Sequence, residues 1–300
     1  MRKIDKDKIK TWFVTGASSG IGKEMCLQLL QRGYNVVAVS RRMPSFSDYS
    51  DSKNLLCLSV DVTNPVSIQE AINKGILKFK KIDVLVNNAG ISASVTCEEE
   101  NLEHMKQVME TNFFGTYNTI SALLPHFRQN HNGTIVNNTS MHGLSVRYGG
   151  SAYCSSKHAV EALTSVLHLE TCKFCRIMAF ELGLFLGTEI GTHINKQTEI
   201  EEYKNIPSDY KHFYYSFNNQ IPVGVSLIID EVEKEKIQRY FILGKDAYIK
   251  IKHQLSLIKR DIKKSKRKAY RCSKFDNKFI LKIIRKIIRI IFKKEIFKDI

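Results

Sequence analysis

A tyrosine and a lysine stand four residues apart in YCSSK, as Tyr153 and Lys157, with three small residues between them. On a helix that interval places both side chains on one face, one turn apart. A free phenol, with a pKa near ~10, carries protons poorly at neutral pH. A nearby ammonium favours the phenolate and turns the pair into a usable general acid/base. An ordinary surface turn offers the same spacing, so other residues must decide.

A second constellation is TGASSGIG, residues 15–22. It follows a strand-like run and opens a helical one. Gly16, Gly20 and Gly22 let backbone turn tightly and approach a pyrophosphate, to which a helix N-terminus presents N–H groups and partial positive charge. A third lies at the end of the next apolar run, AVSRR. Folds that select NAD place an acidic residue there for the ribose hydroxyls. Here Ser40, Arg41 and Arg42 stand instead, and two guanidinium groups suit a 2′-phosphate, so NADP(H) is favoured over NAD(H).

TGASSGIG (15–22), DVT (61–63), NNAG (87–90), Asn112 in METNFFG, Ser140 in NNTSMHG and YCSSK (153–157) follow one another in order. In this order and spacing the chain resembles the short-chain dehydrogenase/reductase family over roughly residues 11–265. The resemblance implies a Rossmann-type oxidoreductase that interconverts a carbonyl and a secondary alcohol. Tyr153 would give or take the proton on the reacting oxygen, and Ser140 would hydrogen-bond that oxygen. Lys157 would depress the tyrosine pKa and hold the nicotinamide ribose, and Asn112 would anchor a proton-passing water. Gly16, Ser18, Ser19, Gly20, Ile21 and Gly22 would cradle the cofactor, Asp61 and Val62 would contact its adenine, and Asn88, Ala89 and Gly90 would line its cleft. After the sixth strand the family has a Pro-Gly pair and then a Thr; this chain keeps Gly183 and offers Thr188, with Leu182 in place of the proline.

The elements that must position these residues are legible as apolar runs of strand length: TWFVT (11–15), NVVAVS (35–40), LLCLSV (55–60), IDVLVN (82–87), TIVNNTS (134–140) and RYFILG (239–244). Between them lie helix-period segments at 21–33, stopped by Gly33, and at 64–79, opened by an Asn cap beside Pro65. Residues 98–129 carry further helix-period apolar positions. This alternation predicts an α/β fold, a doubly wound parallel sheet with helices on both faces. The domains expected are a lead over 1–10, an oxidoreductase domain over 11–270 and a basic amphipathic helix over 271–300. Residues 263–268 (KKSKRK) look like a solvated joint. Ile91, Ala93, Leu144, Tyr148 and Phe185 are neutral pocket candidates that suit an apolar carbonyl substrate. His142 is either a pocket or a structural residue, His158 a structural one, and Tyr214, Tyr215 and Phe217 either close over substrate or form an aromatic cluster.

Net charge is +16, but residues 251–300 hold 18 Lys and Arg against four Asp and Glu, a balance of +14 that leaves +2 for the first 250 residues. Any electrostatic partner is a property of this tail. In 278–297 an aliphatic stripe (Phe279, Ile280, Ile283, Ile284, Ile287, Ile288, Ile291) would, on a helix, face largely away from Lys and Arg, with no apolar run long enough to span a bilayer. Such a helix suits an anionic membrane surface; packing on its own enzyme or a partner subunit is the alternative. Nucleic acid is disfavoured because aromatic platforms for stacking are few. Seven scattered cysteines suit free thiols in a reducing compartment, the lone CxxC of Cys172 and Cys175 does not make a zinc site, and no metal is expected. MRKIDKDKIK lacks a signal-peptide core, so a cytoplasmic location, with membrane association through the tail, is expected. A homo-oligomer acting on a small carbonyl or alcohol is expected. The rival is a non-catalytic scaffold that binds the cofactor and is recruited through its tail, though it has no need of Asn112, Ser140, Tyr153 and Lys157 together.

Overall fold

Side chains along a strand point alternately to opposite faces of its sheet, so a sheet covered on both sides needs apolar residues at every position. The strand Thr11–Thr15 (β1) shows the consequence: all five residues are buried. Trp12 and Val14 enter one core with Met25, Leu29, Ile228 and Val232. Phe13 enters the other with Ile68, Ile72, Leu123 and Phe127. The computed structural model describes residues 10–92, 94–185, 187–188, 198–204, 217, 219–271 and 286.

Among these residues the elements after β1 are α1 (Gly20–Gln31), β2 (Asn35–Ser40), β3 (Leu55–Ser59), α2 (Pro65–Phe79), β4 (Val84–Asn87) and α3 (Leu102–Met109). A π-helical turn, Glu110–Phe114, joins α3 to α4 (Gly115–Gln129). Then come β5 (Thr134–Asn138), α5 (Ser151–Thr171), β6 (Arg176–Leu182), the short α6 (Glu201–Lys204), α7 (Ile221–Glu233), β7 (Tyr240–Leu243) and α8 (Lys245–Arg271). The seven strands form one sheet in the order β3-β2-β1-β4-β5-β6-β7, every neighbouring pair parallel. Strand order reverses between β1 and β4, which opens a crevice at their carboxyl ends where such sheets bind ligands.

Local signals account for the boundaries. The Asn64 side chain accepts from the N–H groups of Val66 and Ser67 at the start of α2, with Pro65 in its first turn. Gly33, with φ of 82°, ends α1. The joint expected at 263–268 is instead helical, within α8. Lys and Arg are good helix formers, and exposed side chains there carry no packing penalty.

The chain divides into two compact units, Met1–Lys250 and Ile251–Ile300. The first holds the sheet. Of the second, residues 251–271 continue α8 as an exposed basic helix with apolar Leu255, Ile258 and Ile262 on one stripe. The stripe predicted over 278–297 lies outside the described residues. Among the described residues no helix is long and apolar enough to cross a membrane, and no group of His, Cys, Asp and Glu could hold a metal ion. Six cysteines, Cys172 and Cys175 included, are free thiols.

Candidate active site

The turn after β1 is shaped by what cannot fit in it. Gly16 has φ of 67°, a left-handed conformation that glycine adopts without penalty. A Cβ on Gly22 would lie 2.3 Å from the Gly16 carbonyl oxygen, so the first turn of α1 sits directly on the loop. The Thr15 hydroxyl receives the N–H groups of Asn88 (2.9 Å) and Ala89 (3.0 Å), and the Asn88 amide donates to the Thr15 carbonyl at 3.1 Å. The NNAG segment after β4 is thereby bonded to the glycine turn.

The next ring of residues is tied to the same segments. Asn138, at the end of β5, donates to Asn88 Oδ1 at 3.1 Å, and its carbonyl accepts from Lys157 Nζ at 2.6 Å. Asn112 lies in the π-helical turn, an insertion frequent at functional sites. Its side chain accepts from Ile91 N (2.8 Å) and donates to Ile91 O and Ser156 Oγ (both 2.9 Å). A methyl built on Gly90 would stand 3.2 Å from Asn112 Oδ1 and 3.7 Å from Lys157 Nζ. Asn112, Lys157 and Gly90, far apart in sequence, therefore meet at one point of the crevice.

Ser140 has φ of 66° and ψ of 159°, a combination almost reserved for glycine that costs on the order of 1–3 kcal/mol. Such strain persists where surrounding structure over-determines it and clusters at functional sites. Here the serine hydroxyl accepts from His142 N at 3.3 Å and lies near enough to the Tyr153 phenol to favour its ionised form. Tyr153 and Lys157, both on α5, are buried, with Lys157 Nζ 5.8 Å from the tyrosine ring. Burial is the largest influence on both: it raises the phenol above its ordinary value and lowers the ammonium to about 8. The expected depression of Tyr153 is thus outweighed by desolvation. The influences pulling the other way are the Ser140 hydrogen bond and then the Arg147 charge.

Arg41 and Arg42 extend exposed from the carboxyl end of β2. Their backbone is held by hydroxyls: Ser40 donates to the Arg42 carbonyl, and Ser59 donates to that of Arg41 at 2.8 Å. The Asp61 carboxylate is engaged by Thr63, through N–H (2.9 Å) and hydroxyl (2.8 Å), while the Val62 carbonyl accepts from Asn118 at 3.1 Å. Thr188 packs over the glycine turn, 3.7 Å from a Cβ on Gly20. At Leu182, where the family has proline, β6 continues and pairs with Leu243 of β7. Gly183 follows because of Asp246: a Cβ there would fall 2.1 Å from that carboxylate. Asp246 is fully buried, and accepts from Leu184 N (2.7 Å) and Asn219 Nδ2 (2.9 Å).

His142 is buried against Tyr153, ring centroids 6.2 Å apart, and is kept neutral well below the usual imidazole range by desolvation and then by Lys250 and Arg147. His158 bonds the Cys154 carbonyl at 2.9 Å, as a structural histidine does. Ile91, Leu144 and Tyr148 are half-buried and Phe185 is buried; Ala93, Tyr214 and Tyr215 lie outside the described residues. Phe217 lies 6.0 Å from Lys245 Nζ.

Sequence reasoning missed Asp246, Arg147 and a buried carboxyl pair, Glu161 on α5 and Glu181 on β6. Asp246 left a faint signal as an acid in the first turn of a helix. Arg147 lies in a loop with no periodicity to place it. Glu161 and Glu181 meet only in three dimensions.

The family model for short chain dehydrogenases matches residues 10–199. The chain belongs to this family. Dehydrogenase/reductase SDR family member 7 of Mus musculus is 36% identical over 168 residues, 53% of this chain and 49% of the relative. A 3-ketodihydrosphingosine reductase of Bacteroides thetaiotaomicron is 38% identical over 162 residues, 54% and 58% of the two chains. The chain therefore spans about half the length of these two relatives. An uncharacterized oxidoreductase of Staphylococcus saprophyticus is 30% identical over 247 residues, 79% of this chain and 96% of the relative. Among solved structures, a short-chain dehydrogenase from Streptomyces avermitilis superposes with a TM-score of 0.83 at 25% identity, covering 90% of this chain and all of the other. ElxO with NADP bound gives 0.65 at 27% identity over 78% and 96%. This family member is thus built on a Rossmann-type sheet.

Proposed function

We propose that this protein is an NADP(H)-dependent oxidoreductase that interconverts a carbonyl and a secondary alcohol, with Tyr153 as general acid/base. The observation that carries the reading is that Asn112 and Lys157 meet beside Gly90 while Lys157 and Ser140 both lie near Tyr153. The turn around Gly16 and Gly22, where a side chain would collide with backbone, fits a pyrophosphate. Arg41 and Arg42 at the β2 edge fit a 2′-phosphate, and the NADP-bound ElxO relative supports that choice. Ser18, Ser19, Gly20 and Ile21 complete the phosphate turn, Asp61 and Val62 take the adenine side, Asn88, Ala89 and Gly90 the cleft lining, and Gly183 and Thr188 the nicotinamide side.

The nicotinamide supplies or accepts the hydride. Everything else is work for this chain. Burial keeps the Tyr153 phenol protonated at neutral pH, the form that gives a proton to a carbonyl oxygen during reduction. Ser140 Oγ bonds that same oxygen and fixes its distance from Tyr153. Lys157 holds its ammonium between the Asn138 carbonyl and the crevice, where a ribose hydroxyl would meet it. Asn112 locks the Ile91 backbone and, through Ser156, the first turn of α5. Ile91, Leu144 and Phe185 suit an apolar carbonyl.

The oxidoreductase domain proposed spans residues 11–270, followed by the basic segment 271–300. The stripe Leu255, Ile258 and Ile262, flanked by Lys259, Lys263 and Lys266, supports an anionic membrane surface as the partner of the basic segment. Exposed Tyr117 on α4 and Val166 and Leu169 on α5 suit self-association.

The test is NADPH and NADH oxidation by purified protein across ketones and aldehydes. Tyr153→Phe is expected to lose about 10²–10⁴-fold in turnover while still binding NADPH. Arg41→Ala and Arg42→Ala are each expected to weaken NADPH by about 10–100-fold, the value of a charge-assisted bond of about 1.5–3 kcal/mol, and to leave NADH unchanged. Tight NADPH binding with no turnover of any carbonyl would point to the scaffold.

A further inference from the structure

Tyr153 has two cations near its ring, and only one was anticipated. Lys157 Nζ is 5.8 Å from the ring centroid and the Arg147 guanidinium carbon is 5.7 Å from it. Arg147 belongs to the loop preceding α5, and its Nη2 donates to Ser92 Oγ at 3.1 Å. Ser92 is buried in the segment that follows NNAG, so the arginine bridges two loops of the crevice across the tyrosine.

The two cations differ in how they hold their charge. Lys157 is buried deeply enough to be lowered to about 8, so its ammonium fades as the medium becomes alkaline. A guanidinium stays protonated throughout the range in which enzymes work, and it stacks on aromatic faces. The other polar groups around Tyr153 are the Ser140 hydroxyl, the neutral His142 ring and the Cys154 thiol, with Lys250 and His158 one layer out beside His142. No carboxylate acts on Tyr153 among the described residues.

We propose that Arg147, anchored on Ser92, is a positioning residue that tunes Tyr153, acting as a second, permanently charged partner of the phenol beside Lys157. The role rests on Tyr153 being the proton carrier. It assigns this chain a device outside the Ser-Tyr-Lys set: when Lys157 loses its proton at alkaline pH, Arg147 still favours release of the tyrosine proton.

The experiment is a pH titration of the full chain carrying tyrosine labelled with ¹³C at Cζ, followed by NMR, with Tyr153→Phe identifying the resonance. Wild type is compared with Arg147→Lys, which keeps a charge, and with Arg147→Gln, which keeps a donor for Ser92 without one. The expected result is a phenol about tenfold weaker as an acid in Arg147→Gln, with Arg147→Lys lying between. The remaining eleven of the twelve tyrosines report whether either variant has unfolded. If one has, the other is compared with wild type alone. A Tyr153 titration unchanged in the glutamine variant, or shifted equally by glutamine and lysine, would overturn the proposal. The readout needs no substrate. Turnover surviving Tyr153→Phe would refute the catalytic reading while leaving the titration result to stand alone.

Discussion

Replacing Glu181 by Gln should make the protein's stability less dependent on pH. Glu181 on β6 is fully buried and Glu161 on α5 nearly so, and their four carboxyl oxygens meet no well-aligned donor among the described residues. Burial, followed by the Glu161 charge, pushes Glu181 up to about 9. Glu161 is raised too, chiefly by burial, with Thr139 and then the Arg239 charge opposing. An unfolded chain releases such a proton near ~4.3. Between those limits the folded protein keeps a proton that the unfolded chain has lost. Stability must therefore fall as pH rises, by about 1.4 kcal/mol per pH unit for one retained proton. From pH 6.5 to 8 the loss is about 2 kcal/mol.

Other buried groups set this window. His142, held low, affects stability below its ordinary range, where falling pH would have to charge it. Lys157 and Lys250, each lowered to about 8, push stability the opposite way only as pH passes that value. An amide at 181 cannot ionise, so urea unfolding of Glu181→Gln at pH 6.5, 7.25 and 8 should give a flatter series, gaining on wild type by about 2 kcal/mol across the range. Parallel series would refute the reasoning, because they would mean that no proton is held between these carboxyls. The site gives the pair added interest: a Cβ on Gly143, in the turn that presents Ser140, would lie 3.6 Å from Glu161 Oε2.

Gly22→Ala places a methyl 2.3 Å from the Gly16 carbonyl and should destabilise the fold by about 1–3 kcal/mol. NADPH affinity, measured by calorimetry, should fall with it, and an alanine variant that binds as wild type would mean that the turn does not hold the cofactor. The full chain should co-sediment with vesicles containing anionic lipid, weakly with neutral ones, and lose the interaction in high salt; equal binding to both would remove the electrostatic reading of α8 and the tail.

What the sequence determined by itself was whatever depends on local rules. Strand-length apolar runs interrupted by helix periods specify a parallel sheet covered on both faces, because only such a sheet buries every strand residue. β1 and β2 begin and end where TWFVT and NVVAVS do. The motifs TGASSGIG and NNAG at strand ends and YCSSK on a helix were equally legible, since each is a local pattern of residue types at fixed intervals. The rest was decided by tertiary structure. Burial raises the Tyr153 phenol against the cation expected to lower it, and burial has no linear signature. Arg147 reaches Tyr153 and Ser92 because two loops close over one crevice. Asp246 fills the place a side chain at 183 would need, across 63 residues of chain. Glu161 and Glu181 become a pair only when α5 packs on β6, for electrostatics acts through space and is blind to order along the chain.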